Sequence, residues 1–137
     1  MDLNLQKTAK DWFSYAETDL KAASRLGTDF RAITCFHCQQ GAEKYIKGLL
    51  LCLQVDFRKT HDLFYLLELL PLDMPDDIFE AADYLNEYAV ETRYPGDYDE
   101  ISIDEVVRAI NYAKLVQVFV LEEAAKLGID GYSTPER

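Results

Sequence analysis

The sequence predicts an all-α fold, a five-helix and mainly up-and-down bundle. Three observations carry that prediction. Apolar residues recur at three- and four-residue steps through five separate stretches. No stretch alternates apolar and polar residues as a half-buried strand would. Glycine or proline marks the joints, at Gly27, Pro71, Pro75, Pro95 and Gly96, while Gly41 and Gly48 lie inside the second stretch. The chain of 137 residues fits a single domain, with a core at about 5–128 and a frayed tail over 129–137.

The first helix is predicted over 5–26, where Trp12, Tyr15, Ala16, Leu20, Ala23 and Leu26 form a stripe that also includes Asp19. Gly27 suits a C-terminal cap, and Thr28 or Asp29 is positioned to cap the next helix. So short a link makes the first two helices antiparallel neighbours. The second helix is predicted over 29–55 and would span roughly 40 Å. It is apolar on nearly every side, as a central helix must be. A third, short helix is predicted over 61–70, with Thr60 as its cap and Pro71 as its stop. A fourth is predicted over 76–92, with acids in its first turn and the Tyr94-Pro95-Gly96 break after it. The fifth begins near Asp104, after Ser102 or Ile103, and runs to Gly128.

Charge is divided unevenly. The net charge of −11 splits into about +2 over 1–61 and −13 over 62–137. Phosphate binding depends on Lys and Arg, so an anionic ligand belongs on the first half and a basic partner on the second. No run is long and apolar enough to span a membrane, and the start lacks the layout of a signal peptide, which points to a cytoplasmic protein. The three cysteines, Cys35, Cys38 and Cys52, then read as reduced, buried thiols. Cys35 and Cys38 have a zinc-like spacing, but Cys52 lies about 21 Å further along the same helix and cannot complete the set. Neither a metal nor a cofactor is expected.

Four groups of residues could carry chemistry. His37, Gln40 and Lys44 share one face of the second helix and offer an imidazole, an amide and an ammonium to a phosphate or base edge. Their alternative role is interhelical hydrogen bonding. Gln39, Glu43 and Lys47 form a second row, expected to be a solvated, salt-bridged face. Arg58, Lys59, Thr60, His61 and Asp62 form a basic cluster at a helix N-terminus, suited either to an anion or to simple capping. In the capping alternative His61 packs against the first helix, and Asp19 is a partner for either basic group. Arg93 closes the fourth helix, as a helix stop or as a further anion contact. No glycine-rich phosphate loop, serine–histidine–acid order or zinc-protease motif is present in the sequence.

Four phrases, WFSYAETDLKAA, FHCQQGAEKYIKGLLL, KTHDLFYLLELL and ETRYPGDY, resemble the HEPN domain, in the family's order and over 12–122. The resemblance implies a dimeric helical bundle, with the central helix in part of the dimer face. It implies a non-catalytic nucleotide- or partner-binding subunit, acting with a separate minimal nucleotidyltransferase, as in some toxin–antitoxin pairs. By position the family's phrases fall on His37, Gln40, Glu43, Lys44, His61, Asp62 and Arg93 to Pro95. Ligand contact would then fall to His37, Gln40, Lys44, His61 and Arg93, with Arg58 added from the basic cluster. Other HEPN proteins are metal-independent ribonucleases, marked by an arginine four to six residues before a histidine near the start of a late helix. Here Arg58 is too close to His61, Arg93 precedes no histidine, and Arg31 and His37 point about 120° apart on the second helix. The alternatives are therefore such a ribonuclease acting on RNA, or a module that only dimerises and docks.

Overall fold

The computed structural model of the chain describes residues 2–89 and 100–129. Among the described residues it has five α-helices and no strand: α1 (Leu3–Leu26), α2 (Arg31–Cys52), α3 (Leu63–Glu68), α4 (Asp76–Asn86) and α5 (Ile103–Lys126). The all-α, five-helix prediction holds. Helix α1 packs along α2, α2 along α5, and α5 along α4, while α3 bridges α2 and α4. Helix α2 touches every other helix, and its core side chains include Cys35, Cys38, Tyr45, Ile46, Leu49 and Leu50.

Gly41 and Gly48 set how closely α1 and α2 approach. A Cβ on Gly41 would lie 2.6 Å from Leu20 Cδ2 and 3.3 Å from the Ala16 carbonyl. One on Gly48 would lie 2.6 Å from Phe13 Cε1 and 3.1 Å from Trp12 Cβ. The two glycines are seven residues apart, so both face the same neighbour. They are the knob-free seam on which α1 rests.

Several predicted boundaries move, each for a visible reason. Helix α2 starts two residues later than predicted, with Phe30 at the cap and no side-chain capping bond. Gly27 turns the chain at φ 55°, and the Thr34 hydroxyl donates back to its carbonyl at 2.7 Å. At the other end α2 stops at Cys52, because Gln54 takes a left-handed conformation at φ 56°. Val55 N–H then donates to Leu50 and Gln54 N–H to Leu51, at 2.9 and 3.0 Å. That is the Schellman pattern, in which glycine is usual. The same pattern ends α5, where Gly128 sits at φ 82° and Ile129 N–H donates to Ala124.

Helix α3 begins at Leu63, and its cap is Asp62, not Thr60. The Asp62 carboxylate accepts from Phe64 and Tyr65 N–H, while the Thr60 hydroxyl accepts from Asp62 N–H. Asn86, at the end of α4, accepts from Leu63 N–H at 2.8 Å and donates to Asp62 at 3.0 Å. Helix α4 ends at Asn86, earlier than predicted, as the next turn tightens to three-residue bonds from Tyr88 and Ala89. Helix α5 opens on a capping box between Ser102 and Glu105 and ends at Lys126, two residues before the predicted end.

Candidate functional site

Two polar clusters lie along α2, and a pair of glutamines belongs to the second. The first is built around Asp19 of α1, which is 8% exposed. Its carboxylate accepts from His37 Nδ1 at 2.9 Å and from Lys44 Nζ at 2.6 Å. Asp19 therefore partners His37 and Lys44, and neither of the basic residues Arg58 and Lys59. The antiparallel packing explains this. Asp19 lies beside the 37–44 segment and Trp12 beside Gly48, whereas Arg58 follows the end of α2.

The second cluster corrects the sequence reading. Gln39, Glu43 and Lys47 are 0%, 4% and 7% exposed, where a solvated face was expected. The ion pair does form, with Lys47 Nζ donating to Glu43 Oε2 at 3.0 Å. It is buried because the 57–62 segment folds over it. The Gln39 amide donates to the His61 carbonyl at 3.0 Å, and His61 Nδ1 donates to Glu43 Oε1 at 2.8 Å. The Lys47 ammonium lies 6.0 Å from the Trp12 ring centre and 5.8 Å from that of Phe57, a cation–π setting on both sides. No buried side-chain polar atom among the described residues lacks a partner. That matters because a half-satisfied buried network costs more than an apolar core.

Gln40 turns to Gln39 rather than to its own row, donating to Gln39 Oε1 at 2.7 Å. Gln39 in turn donates to Glu43 at 3.2 Å. Of the sequence-predicted residues, the structure thus joins His37 and Lys44 through Asp19, and sets Gln40 beside the Glu43–His61 cluster. His61 is tied to α2, not packed on α1, and its ring is 61% exposed. A carboxylate can only accept, so Glu43 fixes the proton on Nδ1 and leaves the Nε2 edge toward solvent.

Arg58 and Lys59 are exposed beside His61 in the chain. The Arg58 guanidinium carbon lies 3.8 Å from the Tyr65 ring centre. Arg31 is engaged elsewhere, donating to the Thr28 and Ile101 carbonyls at 3.3 and 3.0 Å. It flanks a cleft of about 500 Å³ lined by Thr28, Asp29, Ala32, Glu100 and Ile101. Arg31 and His37 have separate partners. Arg93 and the Tyr94-Pro95 step lie outside the described residues.

The cysteines are buried. Burial pushes the Cys38 thiol up to about 12 and the Cys52 thiol up to about 11. Both are thiols, not thiolate nucleophiles, at neutral pH. Among the described residues no group of three or more His, Cys, Asp and Glu side chains is arranged to hold a metal ion.

Sequence reasoning missed three participants: Glu43 as the support of His61, Tyr65 as the support of Arg58, and Asn86 as the second capping partner of α3. The signal for Glu43 was present. Gln39, Glu43 and Lys47 follow one line on a helix already read as central, which left little surface for a solvated row.

A helical bundle that buries an amide, an acid and a lysine along its central helix matches one family over most of its length. The chain belongs to the HEPN domain family, whose profile matches residues 9–124. Among solved structures it is similar to TT1696 from Thermus thermophilus, with 32% identity and a TM-score of 0.74 over 84% of this chain and 97% of that one. It is also similar to ST0689, an archaeal HEPN homologue, with 27% identity and a TM-score of 0.69 over 87% and 97%. A HEPN domain protein from Thermotoga maritima, at 22% identity and a TM-score of 0.61 over 90% and 98%, shares the fold. A comparison with curated proteins found no match.

Proposed function

We propose that the chain is a non-catalytic nucleotide-binding subunit that acts with a separate minimal nucleotidyltransferase. One observation carries the reading. The exposed α2–α3 connection presents Arg58, Lys59 and the outward edge of His61 together, and His61 is held in place by the buried carboxylate of Glu43. Lys47 neutralises that carboxylate from within, so the buried acid adds no net charge beneath Arg58 and Lys59, although the exposed Asp56 and Asp62 flank them. This connection also lies at the end of the chain's basic half. On the same helix, Gln40 adjoins this cluster through Gln39, while His37 and Lys44 form a separate pair on Asp19 with 27% of each side chain exposed.

Calorimetry with ATP or GTP tests the reading. The wild type binds, and Arg58→Ala/Lys59→Ala loses binding while its thermal midpoint is unchanged. Wild type that binds neither nucleotide at millimolar concentration contradicts it.

The His61–Glu43 pair favours a second reading, a metal-independent ribonuclease. An imidazole backed by a buried carboxylate is the arrangement a general base requires. RNA incubated with the protein in a chelator would be cut, and His61→Ala would abolish the cutting. RNA that stays intact removes this reading.

A further inference from the structure

We propose that Arg58 is a stacking platform for a nucleobase, with Tyr65 as its floor, and that phosphate binding falls to Lys59 and His61. The inference rests on the nucleotide-binding reading above and gives that site its base-recognition half.

The geometry begins at Tyr65. Its backbone N–H is capped by Asp62, and Asp62 is fixed in turn by Asn86. The ring therefore projects from a pinned helix start. The Arg58 guanidinium carbon is 3.8 Å from the ring centre. An N–H aimed at the ring would hold that carbon further off, so the guanidinium lies face-on to the ring. A planar group stacked this way has a second face of the same size. Arg58 is an exposed residue, and the face turned away from Tyr65 is the one we assign to a base.

Guanidinium planes stack readily on aromatic and base surfaces because they are flat, delocalised and weakly hydrated. Tyr65 removes part of the rotational freedom that Arg58 would otherwise lose on binding. Lys59 is one residue away and His61 three, within reach of the phosphates of a nucleotide whose base covers Arg58. A compact ammonium binds phosphate as a point charge, but it cannot stack. The sequence cluster therefore divides by chemistry, the planar cation for the base and the others for charge.

The test compares ATP with inorganic tripolyphosphate, which has the phosphates and no base. Both are titrated by calorimetry into wild type, Arg58→Lys and Tyr65→Leu, each variant first checked by thermal melting. Arg58→Lys keeps the charge and removes the plane. In wild type, ATP should bind at least about fivefold more tightly than tripolyphosphate. Arg58→Lys should bring ATP down to the tripolyphosphate level and change tripolyphosphate itself by less than about twofold. Tyr65→Leu should weaken ATP in the same selective way. Equal binding of the two ligands by wild type, or equal weakening of both in Arg58→Lys, would overturn the stacking role and leave the nucleotide-binding reading standing. Failure of both ligands to bind wild type would overturn that reading, and this inference with it.

Discussion

Glu43 accepts from three donors, Gln39, His61 and Lys47, while only 4% of its surface is exposed. Removing one partner of a buried ion pair strands the other charge, whereas replacing both by apolar groups is often close to neutral. Glu43→Leu should therefore destabilise the protein by about 3–5 kcal/mol in urea unfolding. Glu43→Leu/Lys47→Met should be closer to wild type than Glu43→Leu alone. A double variant less stable than the single would contradict this picture of the pair. His61 gains its orientation from the same carboxylate, so the site's geometry and the core's stability share one residue.

Between elements, the decisive contact is the glycine seam under α1. A methyl at Gly48 would press into the Phe13 ring at 2.6 Å, and Phe13 is itself stacked on Tyr45 with ring centres 6.0 Å apart. Alanine favours the helix by about 1 kcal/mol over glycine. Overpacking a filled core costs about 1–3 kcal/mol, so Gly48→Ala should be destabilising in net, measured by thermal or urea unfolding. Gly48→Ala as stable as wild type would show that α1 can move away freely.

The helices themselves were legible in the sequence, because their apolar spacing is set by a core that each helix must face. The ends were less so. Gln54 breaks α2 in a conformation that favours glycine, and nothing in its side chain announces this. Asp62 took the cap from Thr60 because Asn86, distant in sequence, holds it in place. The site was legible as a set of residue types and not as a set of partners. His37, Lys44 and His61 were each identified, yet their partners, Asp19 for the first two and Glu43 for the third, depend on how α1 and the 57–62 segment cover α2. The central character of α2 foreshadowed burial of the Gln39–Glu43–Lys47 row, but which segments cover it could not be read from one helix alone.

For the whole molecule, two surfaces stand out. Phe30 and Ile33 at the start of α2 are 55% and 40% exposed, and Ile103 and Val107 at the start of α5 are 51% and 46%. The Arg31 bond to the Ile101 carbonyl holds these two helix starts together. These exposed apolar side chains sit at neighbouring helix starts. We propose that they contribute to a homodimer, in which case Ile33→Glu/Val107→Glu should give a folded monomer by sedimentation velocity. A wild type that sediments as a monomer at high micromolar concentration would contradict this. No helix among the described residues is long and apolar enough to cross a membrane.

The other surface is the α2–α3 connection, where we propose that a nucleotide binds. The chain has two histidines, one in each polar cluster, so their imidazole signals report the two places separately. Selective histidine labelling followed by titration with ATP, observed by NMR, is the most direct measurement. The His61 resonances should shift saturably while those of His37 stay in place. Unmoved His61 resonances at millimolar ATP, or a saturable shift at His37 alone, would contradict nucleotide binding at this connection.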